Sequence, residues 1–178
     1  MYTYTLKDGT PINSERLIEV VLLREDFGEV YLDTKLGALV EVPSVKSLAA
    51  WVAEIGKSDR YLHIKRFSDA ECVQYAREFI NLMLVHELSK SDHERVNTLL
   101  SQNDITGFVD FLEEETDGWI HGWDQYIGDQ AWEYVHGWLT ENPKVQITAS
   151  LEGCGDCALC TAMSQEKQPT LEELQTLF

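Results

Sequence analysis

The sequence predicts an α+β fold: a small N-terminal antiparallel β-sheet or hairpin, then a helical array, and then a Cys-rich C-terminal appendage. Strand-like segments are grouped in the first third of the 178 residues, and segments with helical periodicity follow them. Hydrophobic residues make up 44% of the chain, which is enough to build a core. Grouped strands followed by grouped helices favour α+β over an alternating α/β architecture.

The predicted strands are short segments near the N-terminus. Residues 2–6 alternate polar and apolar side chains, which is typical of a strand. Residues 29–33 and 38–42 are rich in β-branched and aromatic side chains and flank a turn that contains Gly37, so they predict a β-hairpin. Residues 60–64 predict a third strand, short enough to lie at a sheet edge.

The first two predicted helices begin at residues that cap helices well. Asn13 or Ser14 precedes an apolar face at helical spacing, and Ser44 or Ser47 precedes a shorter helix that reaches Ile55. Asn and Ser side chains accept hydrogen bonds from the unpaired N–H groups of a helix's first turn.

The most strongly periodic segment begins at Ser68 or Asp69. Apolar side chains recur every three or four residues from there to Leu88, so the segment predicts one long amphipathic helix. That periodicity places Met83 and Leu84 together on the buried face.

Three further helices are predicted before the tail. Ser91 and Glu94 fit a capping box, in which the serine and the acid three residues later satisfy each other's backbone donors. Asp104 caps the next helix. The Asp-Gly pair at 117–118 ends that helix, and a short segment leads to a final helix that starts at Asp129.

The chain is predicted to divide into an α+β domain at residues 1–143 and an appendage at residues 144–178. The appendage differs in composition: residues 145–149 predict a strand, residues 151–160 form a loop rich in Gly and Cys, and Thr170 caps a short terminal helix.

Net charge excludes one class of partner. The chain has 14 Lys and Arg against 31 Asp and Glu, a formal charge of -17, and no basic patch is evident. Nucleic acids and anionic membrane surfaces are bound mainly through cationic side chains, so neither is expected as a partner.

The location predicted from the sequence is the cytoplasm. The N-terminus has neither a basic nor an apolar leader-like segment, and no apolar run approaches the about 20 residues that span a bilayer. Three of the four cysteines crowd together in the tail, unlike the dispersed disulfide framework of small secreted domains.

The negative charge is concentrated in one stretch. Residues 96–143 contain 10 acidic residues and no Lys or Arg, and they also contain four of the five Trp residues. Trp119 and Trp123 lie four residues apart, with Asp117 and Asp124 beside them. If both rings are partly exposed, they form an apolar anchor with an acidic rim that suits a basic protein partner. The alternatives are Trp rings in the core with a solvated acidic face, or carboxylates that mimic DNA phosphates.

The cysteines of the tail carry the sharpest chemical pattern. Cys154, Cys157 and Cys160 lie three residues apart, and a C-x-x-C turn lets two thiolates reach one tetrahedral ion. The spacing predicts a structural Zn²⁺ site with these three ligands and a fourth from elsewhere. A redox dithiol without metal and an inert group of thiols are the alternatives.

Several segments, in this order along the chain, resemble a family of uncharacterised bacterial proteins. The matching residues are Tyr31-Leu32-Asp33 with Gly37, Asp59-Arg60-Tyr61-Leu62, Phe79-Ile80, Gly107-Phe108 with Phe111, and Ala131 with Trp138-Leu139. The resemblance implies the fold and a cytoplasmic setting, and no established activity. One departure is the helix after Gly107, which is acidic here where the family usually has a basic pattern, so no anion-binding role carries over.

The predicted function is that of a non-enzymatic protein-binding or regulatory module. The sequence has no phosphate-binding glycine loop, no H-E-x-x-H motif and no Ser or Cys nucleophile in a supporting motif. The alternative is a metal- or thiol-dependent redox protein that uses the three tail cysteines.

Overall fold

A computed structural model describes residues 2–22, 28–43, 45–115 and 117–149. The chain divides into two compact units, one at Tyr4–Gln146 and the other combining Met1–Thr3 with Ile147–Phe178. The predicted α+β class is confirmed, with strands in the N-terminal part and helices after them. Most of the predicted appendage lies outside the described residues, so the predicted domain boundary at 143 stays a prediction.

The strands form two three-stranded sheets. In chain order they are β1 (Tyr2–Leu6), β2 (Pro11–Ile12), β3 (Glu29–Asp33), β4 (Ala38–Val42), β5 (Tyr61–Ile64) and β6 (Val145–Ala149). The first sheet has the order β2-β1-β6 and the second has the order β4-β3-β5, with β3 antiparallel to both neighbours. The predicted hairpin is therefore confirmed, and β5 is an edge strand as expected.

The helices are α1 (Ser14–Leu22), α2 (Ala49–Ile55), α3 (Asp69–Phe79), α4 (Lys90–Ser101), α5 (Ile105–Glu115) and α6 (Asp117–Glu141). A 3₁₀ turn at Lys46–Leu48 leads into α2, and a π-helical turn at Ile80–Leu84 continues α3. The helix α3 begins where the sequence predicts, and the Ser68 side chain caps it in a capping box with Glu71 that the sequence analysis did not identify.

Two helix predictions were wrong in detail. The segment expected before a separate helix at Asp129 is part of α6, which runs unbroken for 25 residues. A helical Gly costs about 1 kcal/mol relative to Ala, and the buried face of α6, which includes Ile127, Ala131 and Leu139, outweighs that cost. The capping box of α4 is formed by Ser89 and Asp92, two residues before the predicted pair.

An ion pair between a buried carboxylate and a partly exposed arginine fixes the turn of the hairpin against β5. Asp33 is 2% exposed, and its two carboxylate oxygens accept hydrogen bonds from Arg60 at 2.8 and 2.6 Å. These bonds hold the pKa of Asp33 below its ordinary value. Gly37 closes the same turn at φ +64°, where an added Cβ would collide with the Pro11 carbonyl oxygen. Asp33, Gly37 and Arg60 of the family resemblance are thus structural residues here.

The core of the helical part is aromatic. The Trp123 ring packs edge-to-face on Phe79 and Phe108, with ring centroids 5.6 and 5.3 Å apart. Because these three side chains come from α6, α3 and α5, one cluster joins the three helices. Edge-to-face pairs at this distance contribute about 1 kcal/mol beyond the area they bury.

Candidate functional site

The residues predicted to anchor a partner lie in different environments. Trp123 is 5% exposed and belongs to the aromatic core, so its ring is not offered to a partner. Trp119 is half-buried, with its indole N–H donating to Glu87 at 2.9 Å. Asp124 is exposed on α6. Asp117 is the first residue of α6, and its side chain lies outside the described residues. The predicted apolar anchor requires both Trp rings to be partly exposed. This is true of Trp119 and not of Trp123.

An exposed apolar surface that the sequence did not predict lies on the π-helical turn and the residue after it. Leu82, Met83 and Val85 are 70%, 59% and 39% exposed. We call these three residues the apolar patch. Met83 was predicted to be buried with Leu84, and that prediction was wrong. A π-helical turn contains more residues than an α-helical one, so the regular three-and-four spacing no longer follows the buried face.

One side of the π-helical turn packs against the protein core. Ile80 and Leu84 of the same turn are 8% and 3% exposed, and Phe79 before it lies in the aromatic core. Glu87, three residues after Leu84, accepts the hydrogen bond from Trp119. The apolar patch is therefore presented by a backbone segment that is packed on its other side.

The apolar patch lies near the start of an acidic stretch of the chain. Residues 80–143 contain 13 Asp and Glu against 2 Lys and Arg. Both cations are already near carboxylates: Arg95 lies 2.7 Å from Glu114 and Lys90 lies 4.0 Å from Glu94. We call residues 80–143 the acidic half. Its negative charge is largely uncompensated by cations of its own.

A cleft of about 380 Å³ lies between β3 and the start of α3, lined by residues 28–30 and 63–68. His63 Nε2 lies 2.5 Å from a Glu29 carboxylate oxygen, a spacing at which an imidazole and a carboxylate share a hydrogen bond. Both side chains are about half exposed. An imidazole–carboxylate pair can orient a proton, but it needs a nucleophile or a bound substrate to do chemistry.

Two further polar side chains that line the cleft, Lys65 and Ser68, are hydrogen-bonded to Glu71 of α3. The Ser68 hydroxyl donates to Glu71 at 2.7 Å and accepts from the Glu71 N–H at 3.3 Å. Lys65 donates to Glu71 at 2.8 Å. These bonds lower the pKa of Glu71 to about 2, the one from Lys65 contributing most. The Ser68 hydroxyl is thus committed to capping α3, which disfavours a role as a nucleophile.

The predicted zinc ligands Cys154, Cys157 and Cys160 lie outside the described residues. Within residues 2–22, 28–43, 45–115 and 117–149, no group of three or more His, Cys, Asp or Glu side chains is arranged to hold a metal ion. In that same part of the chain, no helix has both the length and the apolar character to cross a membrane.

Comparison with known proteins gives one match. A family model described as an uncharacterised protein family, UPF0158, matches residues 10–154. No curated protein and no solved structure matches the chain. The match ends at Cys154, so the other two tail cysteines lie beyond it. The hairpin, the cleft and the six helices of the described residues lie within it.

Replacing Glu71 with Gln tests whether the cleft network stabilises the fold. The folded-state pKa of Glu71 is about 2 against an ordinary value of 4.5, so its ionised form stabilises the fold above pH 4.5 and this contribution is lost as the pH falls toward 2. We expect Glu71→Gln to lower the free energy of unfolding by on the order of 0.5 kcal/mol at neutral pH. Urea denaturation should show that difference shrinking as the pH falls below 4.5.

Lys65→Met is the matched control, because it removes the cation and keeps the Ser68 cap. It should reproduce the pH dependence with a smaller amplitude. A Glu71→Gln effect that stayed constant down to pH 2 would contradict the low pKa of Glu71.

Proposed function

The chain belongs to the uncharacterised protein family UPF0158, and we propose that it is a non-enzymatic protein-binding module whose partner is a basic protein segment with apolar anchor residues. The apolar patch is the observation that carries this proposal. A cytoplasmic setting is part of it, supported by the crowding of three cysteines in the tail.

Exposure of the apolar patch has a free-energy cost that binding would recover. Leu82 and Met83 are both more than half exposed and adjacent, and Val85 adds a third apolar side chain. Burying one such side chain contributes about 1.5–3 kcal/mol. Exposed groups of large apolar side chains are typical of interaction sites, where a few central residues supply most of the binding free energy.

Preorganisation of the π-helical turn favours binding. Ile80 and Leu84 are buried from the same turn that exposes the apolar patch, so the backbone there has little freedom left to lose on association.

Charge identifies the kind of partner. With 13 acidic and 2 basic residues between positions 80 and 143, this half of the protein attracts a cationic segment and repels nucleic acid. Trp119 and Asp124, predicted from the sequence as partner contacts, belong to this half. Trp119 is linked to the region of the apolar patch through Glu87.

The hydrogen bonds of the cleft favour a non-enzymatic role over catalysis. Ser68 caps α3, Lys65 pairs with Glu71 and the His63 imidazole pairs with Glu29, so each of these three side chains already has a partner within the fold. A surface that combines exposed apolar side chains with a strong field is better suited to recognition than to catalysis.

The double substitution Leu82→Ser with Met83→Ser tests the apolar patch directly. The probe is a fluorescently labelled, lysine-rich amphipathic helical peptide with leucines on one face. We expect the unsubstituted protein to bind it at low salt, and the double variant to bind at least about tenfold more weakly because two apolar contacts are lost. Fluorescence anisotropy measures both affinities.

Leu36→Ser is the matched control, because Leu36 is 61% exposed but lies in the turn between β3 and β4. It should bind the peptide as the unsubstituted protein does, and a peptide with glutamates in place of its lysines should not bind. Equal affinity for the double variant and Leu36→Ser would contradict the proposal, as would no binding of the lysine-rich peptide.

A second proposal concerns the tail. Cys154, Cys157 and Cys160 have the spacing with which a zinc knuckle places sulfurs on one side of a turn, and we propose that they hold a structural Zn²⁺. A redox protein that uses the same thiols is the competing proposal, and its supporting observation is the same C-x-x-C spacing.

Cys157→Ala separates these two roles. A zinc site predicts about one equivalent of Zn²⁺ in protein prepared without chelator, and its loss in the variant together with a lower melting temperature. Metal analysis by mass spectrometry and a thermal melt are the measurements. A zinc content below about a tenth of an equivalent in the unsubstituted protein would exclude the knuckle. Unchanged stability with altered thiol titration would then favour the redox role.

A further inference from the structure

The glutamate that follows the apolar patch has a fixed backbone. The Glu87 N–H donates to the Leu84 carbonyl oxygen at 2.9 Å, and the N–H of the next residue, Leu88, donates to the same oxygen at 3.1 Å. The side chains of Leu84 and Leu88 are both buried. The position of Glu87 just after the π-helical turn is therefore set by the fold.

The Glu87 side chain is exposed and oriented. Its Oε2 accepts a hydrogen bond from the Trp119 indole N–H at 2.9 Å. The Trp119 ring in turn packs on the fully buried Phe111, with ring centroids 6.2 Å apart. A carboxylate that is already oriented loses less side-chain freedom when a ligand binds it.

The contact with Trp119 leaves the negative charge of Glu87 unbalanced, because an indole N–H is a neutral donor. Two other acids lie between positions 80 and 95, and each has a role within the fold. Asp92 caps α4, and Glu94 lies 4.0 Å from Lys90. Of these three acids, Glu87 is the one left to pair with a cation from outside the fold.

Glu87 lies beside the apolar patch. It follows Val85 by two residues, and consecutive Cα atoms are about 3.8 Å apart, so the two Cα atoms lie within about 8 Å of each other. Side chains one turn apart on a helical ligand are separated by about 5.4 Å along its axis. A ligand helix that buries a leucine on the apolar patch can therefore bring a cationic side chain to Glu87.

We propose that Glu87 is the ionic contact of the partner site, and that its carboxylate binds a cationic side chain while the apolar patch binds the partner's apolar anchors. Trp119 is then a positioning residue, which holds Glu87 and does not itself contact the partner. This inference rests on the proposed protein-binding function and assigns its ionic contact to one side chain.

Glu87→Gln tests the ionic contact, because the amide oxygen still accepts from Trp119 while the charge is lost. In the peptide assay at about 0.1 M salt, we expect about fivefold weaker binding of the lysine-rich peptide. The affinity of this variant should also fall less steeply as the salt concentration rises, since one ion pair fewer is screened. Its circular dichroism should be unchanged.

Glu133→Gln is the matched control, because it removes the same charge from an exposed position of α6. Position 133 is 14 residues after Trp119, which is about 21 Å along the helix. That distance exceeds the Debye length of about 10 Å at 0.1 M salt. The control should therefore bind the peptide within about twofold of the unsubstituted protein.

Trp119→Phe separates positioning from direct contact. It removes the indole N–H and keeps an aromatic ring, so Glu87 stays charged but is no longer oriented, and we expect a loss of about twofold to threefold in affinity. In a Glu87→Gln background the same substitution should have no further effect, because Trp119 acts through the Glu87 charge. Additive losses would overturn the positioning role.

The ionic contact and the proposed function fail in different comparisons. The function is tested by the unsubstituted protein against the double variant of Leu82 and Met83. If those two differ as expected while Glu87→Gln and Glu133→Gln bind the lysine-rich peptide equally well, the function stands and the ionic contact is overturned. Absence of peptide binding by the unsubstituted protein would overturn both.

Discussion

The burial of Trp123 between Phe79 and Phe108 is the interaction on which the helical part depends. Its ring contacts one aromatic side chain of α3 and one of α5, and so fixes the rotation of α6 against both helices. Trp119, one turn earlier, then lies half-buried at the edge of the same helix, and Asp124 faces solvent.

The packing of Phe79 against Trp123 also explains how the apolar patch arises on a well-packed protein. Phe79 is fixed in the core, and the chain must still bury Ile80 and Leu84 before it reaches α4. The π-helical turn buries both of these side chains and leaves Leu82 and Met83 exposed. The same turn therefore completes the core and forms the proposed partner site.

The sequence predicts what local patterns encode. The hairpin at residues 29–42 and the start of α3 at Asp69 follow from turn chemistry and helical periodicity, so both were predicted correctly. The pairing of Asp33 with Arg60 was not, because the two residues lie 27 positions apart and local patterns do not identify distant partners. Exposure of Met83 was missed for a different reason: periodicity assumes a regular helix, and a π-helical turn breaks that assumption.

Trp123 belongs to the core, whereas Trp119 lies partly exposed in the acidic half. Urea denaturation of Trp123→Ala and Trp119→Ala compares the two side chains under the same conditions. We predict a loss of about 3–5 kcal/mol in the free energy of unfolding for Trp123→Ala, as for a buried aromatic side chain. For Trp119→Ala we predict a loss of about 1 kcal/mol or less. Equal losses, or a larger loss for Trp119→Ala, would show that Trp123 is not the side chain on which the helical core depends.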